Sequence, residues 1–219
     1  MKDRMTGKIS KYCILILLLA LLPAGLSGQE RYGLGAGYEI VTPVGELGNR
    51  FRPAQALVFR LRLQEAQLHR VTLQYRDVVF DETNDDKLFY KGIPMKLENR
   101  SLSLNVQYHL WQPTDWFCFS LSGAASLNRW EFKRDAFFAE DSVNGNIDMT
   151  EFAQDDWSWG GKAGFCLTLS PFEFLQFGAS MHYHLMIAEL WPALKLRLEN
   201  VSGLQMLETQ LFIELSHSF

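Results

Sequence analysis

Beyond residue 28 the sequence has no run of about 18 apolar residues, which leaves residues 29–219 without a membrane-spanning helix. Cations are not in excess either: 21 Lys and Arg stand against 25 Asp and Glu, a net charge of -4, so the electrostatic footprint of a nucleic-acid binder is missing. None of the 3 cysteines lies near residues 27–29, which argues against a lipid-modified N-terminus. No G-x-S-x-G or other nucleophile motif occurs. The acidic stretches lack the spacing of a calcium loop. Gly33, Gly35 and Gly37 alternate inside a strand pattern, without the strand-to-helix setting of a dinucleotide loop. Disorder is excluded too, since 47% of the 219 residues are apolar, enough for one sizeable domain.

What is present begins with Lys2, Arg4, Lys8 and Lys11 ahead of an apolar run over residues 13–22, followed by small residues to Gly28. That layout is a secretory signal peptide spanning 1–28, with an uncleaved N-terminal anchor as the alternative. Residues 29–219 then form a single domain. At its far end Leu207, Leu211, Ile213, Leu215 and Phe219 alternate with Glu208, Gln210, Glu214, Ser216 and Ser218, a strand of period two.

The same alternation predicts strands at 31–40, 57–64, 70–76, 101–110, 117–128, 157–169, 175–185 and 207–219. Long polar connections, including 81–100 and 130–156, alternate with short turns near 65–67, 112–115 and 170–171. Leu194, Leu196 and Leu198 also alternate with Lys195, Arg197 and Glu199, read as a hairpin extension or, in the competing count, two further strands. A chain of this kind enters a bilayer only as a closed barrel, because closure satisfies every backbone group. An even strand number with short turns at one end and long loops at the other fits an all-β, antiparallel up-and-down transmembrane barrel of eight strands, ten being the alternative. Aromatic residues collect at strand ends: Tyr32, Trp111, Trp116, Phe117, Phe172, Phe174 and Phe219 low, and Phe80, Trp130, Trp157 and Trp159 high, as two interfacial belts. A soluble lipocalin-like barrel would share the strand number but carry its apolar face inside.

Phe219 at the end of an alternating strand, with the loop asymmetry and the belts, resembles small bacterial outer-membrane barrels of the OmpA and OmpX type. The resemblance implies the outer membrane of a Gram-negative bacterium, a monomer, and Phe219 as a signal read by the outer-membrane assembly machinery. It also implies contact with outer-membrane lipids and lipopolysaccharide, and leaves the role open.

Parity places Glu39, Arg60, Arg62, Arg70, Arg76, Lys162, Glu208 and Glu214 inside, as a luminal salt-bridge network or, alternatively, an anion path. Strand order lets Glu39 and Glu214 reach Arg60 and Arg62. His109, His182 and His184 also face inward with Ser120 and Ser180 on the same surface, a plug of polar side chains or the base and nucleophile of a lipid-modifying enzyme. No third ligand accompanies His182 and His184, so no metal or cofactor is expected. Cys118 and Cys166 fall on inward positions of neighbouring strands, a candidate disulfide or two small inward residues. The functional reading is a structural or binding protein acting through its outer loops, with a lipid-modifying enzyme or a narrow channel as alternatives.

Overall fold

The strands are β1 (Arg31–Val44), β2 (Ala54–Glu65), β3 (His69–Phe80), β4 (Met95–Thr114), β5 (Phe117–Arg134), β6 (Phe137–Asp141), β7 (Gly145–Met149), β8 (Phe152–Phe172), β9 (Leu175–Ile187) and β10 (Leu204–Ser218). Eight of them close on themselves in the order β1-β10-β9-β8-β5-β4-β3-β2, every neighbour antiparallel. Between β5 and β8, β6 and β7 form a separate hairpin. The computed structural model describes residues 31–66, 68–88, 92–141, 145–187 and 204–218; the expected signal peptide, residues 188–203 and Phe219 lie outside them. The barrel count is eight rather than ten, because β1 and β10 pair continuously from Arg31↔Ser218 to Val44↔Gln205 and close the sheet.

Over most of its height the wall is polar inside and apolar outside. Leu57, Phe59, Leu102, Leu121, Phe165, Leu167, Phe177, Leu211 and Ile213 project outward and are exposed, while Arg60, Arg62, Ser103, Asn105, Gln107, His182 and Glu214 are buried. Water has no reason to face such an exterior, and a lipocalin would show the opposite polarity; only lipid matches it. β2 and β3, β4 and β5, and β8 and β9 follow one another after two or three residues at one end of the barrel, and the longer intervals between successive barrel strands fall at the other.

Near the long-loop end this polarity inverts without any break in the strands. Val41, Ala56, Val78, Phe80, Met95, Leu97, Trp130, Phe132, Met186, Leu204 and Met206 point inward and build an apolar core, joined by Leu47, Phe51 and Ile93 from the connections. On the same strands Lys96, Glu98, Arg100, Arg129, Glu131 and Lys133 point outward. This is the polarity of a protein in water, so the barrel continues beyond the bilayer. β4, β5 and β8 run 20, 18 and 21 residues, where about 9–11 suffice to cross a membrane.

Two expectations are corrected by that inversion. The connections expected at 81–100 and 130–156 are shorter than the sequence suggests: β4 already begins at Met95, β5 continues to Arg134 and β8 starts at Phe152, with β6 and β7 between them. Phe80 and Trp130, expected in the upper aromatic belt, are buried in the apolar core because their parity is inward. Trp157 and Trp159 keep the outward parity, and Tyr32, Trp111, Trp116, Phe172 and Phe174 are exposed at the short-turn end as expected.

Candidate functional site

The charged residues of the lumen gather in two layers. In the upper one Glu208 is the centre: Arg76 pairs with it, Lys162 Nζ donates to it at 2.7 Å, and His184 Nδ1 lies 2.7 Å from it. Arg76 also donates to Glu39 at 3.0 Å and to Asn99 at 2.8 Å. Four carboxylate-centred contacts in a water-poor interior compensate two acids and two cations, which is how buried charge is tolerated.

The lower layer is held by Glu214, which pairs with Arg62 and lies 3.5 Å from Arg60. Arg60 donates to Gln210 at 3.0 Å and stacks its guanidinium 3.6 Å over the Phe212 ring. Phe212 stands at a polar-face position of β10, and room for it comes from the neighbouring strand: a Cβ on Gly178 would collide with its ring. Arg62 donates to Gln176 at 2.9 Å, and Arg70 pairs with Glu65.

All eight expected network residues are therefore luminal, but their partners differ in one respect. Glu39 bonds Arg76 and not Arg60 or Arg62, because β1 faces β2 with Glu39 opposite Ala56 and Gly35 opposite Arg60. Glu65 escapes a reading by alternation. It ends β2 beside the turn, yet its carboxylate folds back into the lumen against Arg70 and Arg62. The bulge between Arg62 and Gln64, invisible to strict alternation, re-aims that strand end.

The histidines pair differently from expectation. His182 Nε2 lies 3.0 Å from Ser122, and His184 Nε2 lies 2.8 Å from Ser126; Ser180 instead bonds Gln210, and Ser120 lies beside Cys118. Glycine on the intervening strand makes these reaches possible: Gly164 stands between His182 and Ser122 in the ladder, and a Cβ on Gly160 would meet both Ser126 Oγ and His184 Nε2. His109 belongs elsewhere, lining a cavity of about 580 Å³ at the short-turn end with Arg62, Glu65, Arg70 and Gln176.

Ser126, His184 and Glu208 thus have the connectivity of a hydrolase triad. With Nδ1–H donating to the carboxylate, Nε2 faces the hydroxyl. Chemistry also requires a carbonyl carbon within about 3 Å of the hydroxyl and donors for the oxyanion. Ser126 and His184 are buried, and the Asn128 amide donates to Ser126 at 3.0 Å. The three side chains are packed against one another in the lumen.

Cys118 faces Thr168 and Cys166 faces Ser120, so the two thiols are diagonal neighbours; both are buried and free, and the candidate disulfide is not formed. Diagonal positions lie about 7–8 Å apart, beyond the usual reach of a disulfide.

No protein-family description and no curated protein matches the sequence. Among solved structures the chain is similar to a major outer membrane protein of Thermus thermophilus, with a TM-score of 0.55 at 10% identity over 85% of this chain and 99% of that one. It is also similar to Ail, the attachment invasion locus protein of Yersinia pestis, with a TM-score of 0.50 at 9% identity over 86% and 99%. Inside-out polarity, closure after eight strands and these likenesses agree: the chain has the fold of the small outer-membrane β-barrels.

Proposed function

We propose that this barrel is a surface-binding protein whose ligand is met by the β6–β7 hairpin. The observation that carries the reading is the prolonged sheet of β4, β5 and β8, which continues past the bilayer on an apolar core of its own and bears the hairpin at its end. Strands that only crossed the membrane would not need that core. Residues 135–151 contain Asp135, Glu140, Asp141, Asp148 and Glu151 and no Lys or Arg, and Phe138 is exposed on β6. A basic polypeptide surface complements that chemistry.

Replacing residues 137–149 with a two-residue Asn-Gly turn tests this. Cells carrying the shortened protein are expected to lose retention on immobilised poly-lysine relative to cells carrying the full chain, while the barrel keeps its folded mobility on unboiled gels. Equal retention overturns the reading. The enzyme alternative has one arrangement in its favour, Ser126–His184–Glu208, and makes a separate demand: Ser126→Ala must alter the outer-membrane lipid profile.

A further inference from the structure

The outward face of β3, β4, β5 and β8 changes chemistry between two adjacent rows. Register aligns Tyr75, Leu102, Leu127, Trp159 and Ile187 in one row, all apolar or aromatic. The next row towards the long-loop end is Asp77, Arg100, Arg129 and Trp157. Beyond it come Glu98, Glu131 and Asp155, and then Lys96 and Lys133. The first charged row above the lipid-facing surface therefore carries two arginines directly opposite each other on neighbouring strands, beside an exposed indole.

Like charges in that position repel across about 5 Å and destabilise a sheet. The nearby carboxylates hold them only loosely and from the flanks: Arg100 is 3.4 Å from Asp77 on β3 and 3.5 Å from Glu98, and Arg129 is 3.4 Å from Asp155 on β8. Both arginine side chains stay about half exposed, at 50% and 49%.

We propose that Arg100, Arg129 and Trp157 form an exterior clamp for the phosphomonoester headgroup of an outer-leaflet lipid. Phosphate oxygens accept the paired N–H donors of both guanidiniums, an arrangement that Arg makes and Lys does not. The acyl chains run down the apolar outer face below the pair, starting over Leu102 and Leu127, and Trp157 sits at the interfacial depth that indoles favour. Glu98, Glu131 and Asp155 repel phosphate from the next level out, so the clamp accepts one layer of headgroups.

The test uses the folded protein in detergent, mixed with phosphatidic acid, a phosphomonoester, or with the phosphodiester phosphatidylglycerol, and native mass spectrometry to count retained lipid. Phosphatidic acid is expected to be retained in preference. Arg100→Gln with Arg129→Gln should lower its retention by about tenfold, near 1.4 kcal/mol, while Lys96→Gln with Lys133→Gln, two rows farther out, should leave it unchanged. Mobility on unboiled gels verifies that both variants are folded. Equal retention of the two lipids, or undiminished retention by the double arginine variant, overturns the proposal. Displacement of the lipid by millimolar inorganic phosphate also overturns it, since that would mark a site for free anions.

Discussion

Glu214 is the more deeply buried of the two acids in the lower lumen, with Arg60 and Arg62 both against it. Glu214→Ala leaves two buried guanidiniums short of a partner and is expected to cost about 3–5 kcal/mol, read from urea unfolding in micelles. Glu131→Ala, on the exposed outer face, should cost under about 0.5 kcal/mol by the same measurement. That Glu39, Arg76, Lys162 and Glu208 would be luminal was legible from parity once the apolar alternates of their strands are given to lipid, though the luminal place of Glu65 was not. Which would touch was not, because contacts depend on the register between strands and on small residues beside large ones. Phe212 shows the signal that was there to use. An aromatic on a polar face has glycine on both neighbours, Gly37 on β1 and Gly178 on β9, at its own level. Gly178→Ala should therefore destabilise by about 1–3 kcal/mol, and Phe212→Leu in the same chain should recover part of the loss.

For whole strands the instructive departure lies in β4 and β5. Met95 and Leu97 share parity with Ser101 and Ser103, and Trp130 and Phe132 share it with Ser126 and Asn128. The alternation never stops; its apolar phase moves to the other face. Read for a single apolar face, that shift resembles the end of a strand, which is why residues 95–100 and 130–134 have the look of loops in the sequence. Its physical cause is a change of solvent along one strand, from lipid to water, with the backbone ladder unaffected. A paired substitution within β5 separates the two regimes. Leu121→Arg meets lipid and should cost about 2–4 kcal/mol, whereas Glu131→Arg on the same face should be close to neutral. Phe132→Ala, a change in what has the composition of a loop, should cost about 3–5 kcal/mol because it empties the outer core.

At the scale of the molecule, two charge layers and an apolar core are stacked along the lumen among the described residues, and an eight-stranded barrel is only wide enough for side chains to fill. In planar bilayers the protein is expected to show no sustained porin-like conductance, and a stable large channel would refute the packed interior. Compartment and architecture were the most legible properties of this sequence, since both follow from polarity patterns that no single residue decides. The inversion of polarity along the strands also fixes how deeply the protein sits. Outward residues 102–110 of β4, at about 3.3 Å per residue and a tilt near 40°, span roughly 20 Å of hydrocarbon. A barrel of uniform exterior meets a thicker bilayer by sliding or tilting, but here any upward slide strips lipid from Tyr108 and Leu110, and any downward slide draws Arg100 and Arg129 into hydrocarbon. The bilayer itself must thin around the protein, so hydrophobic mismatch becomes a sorting force that favours thin membranes.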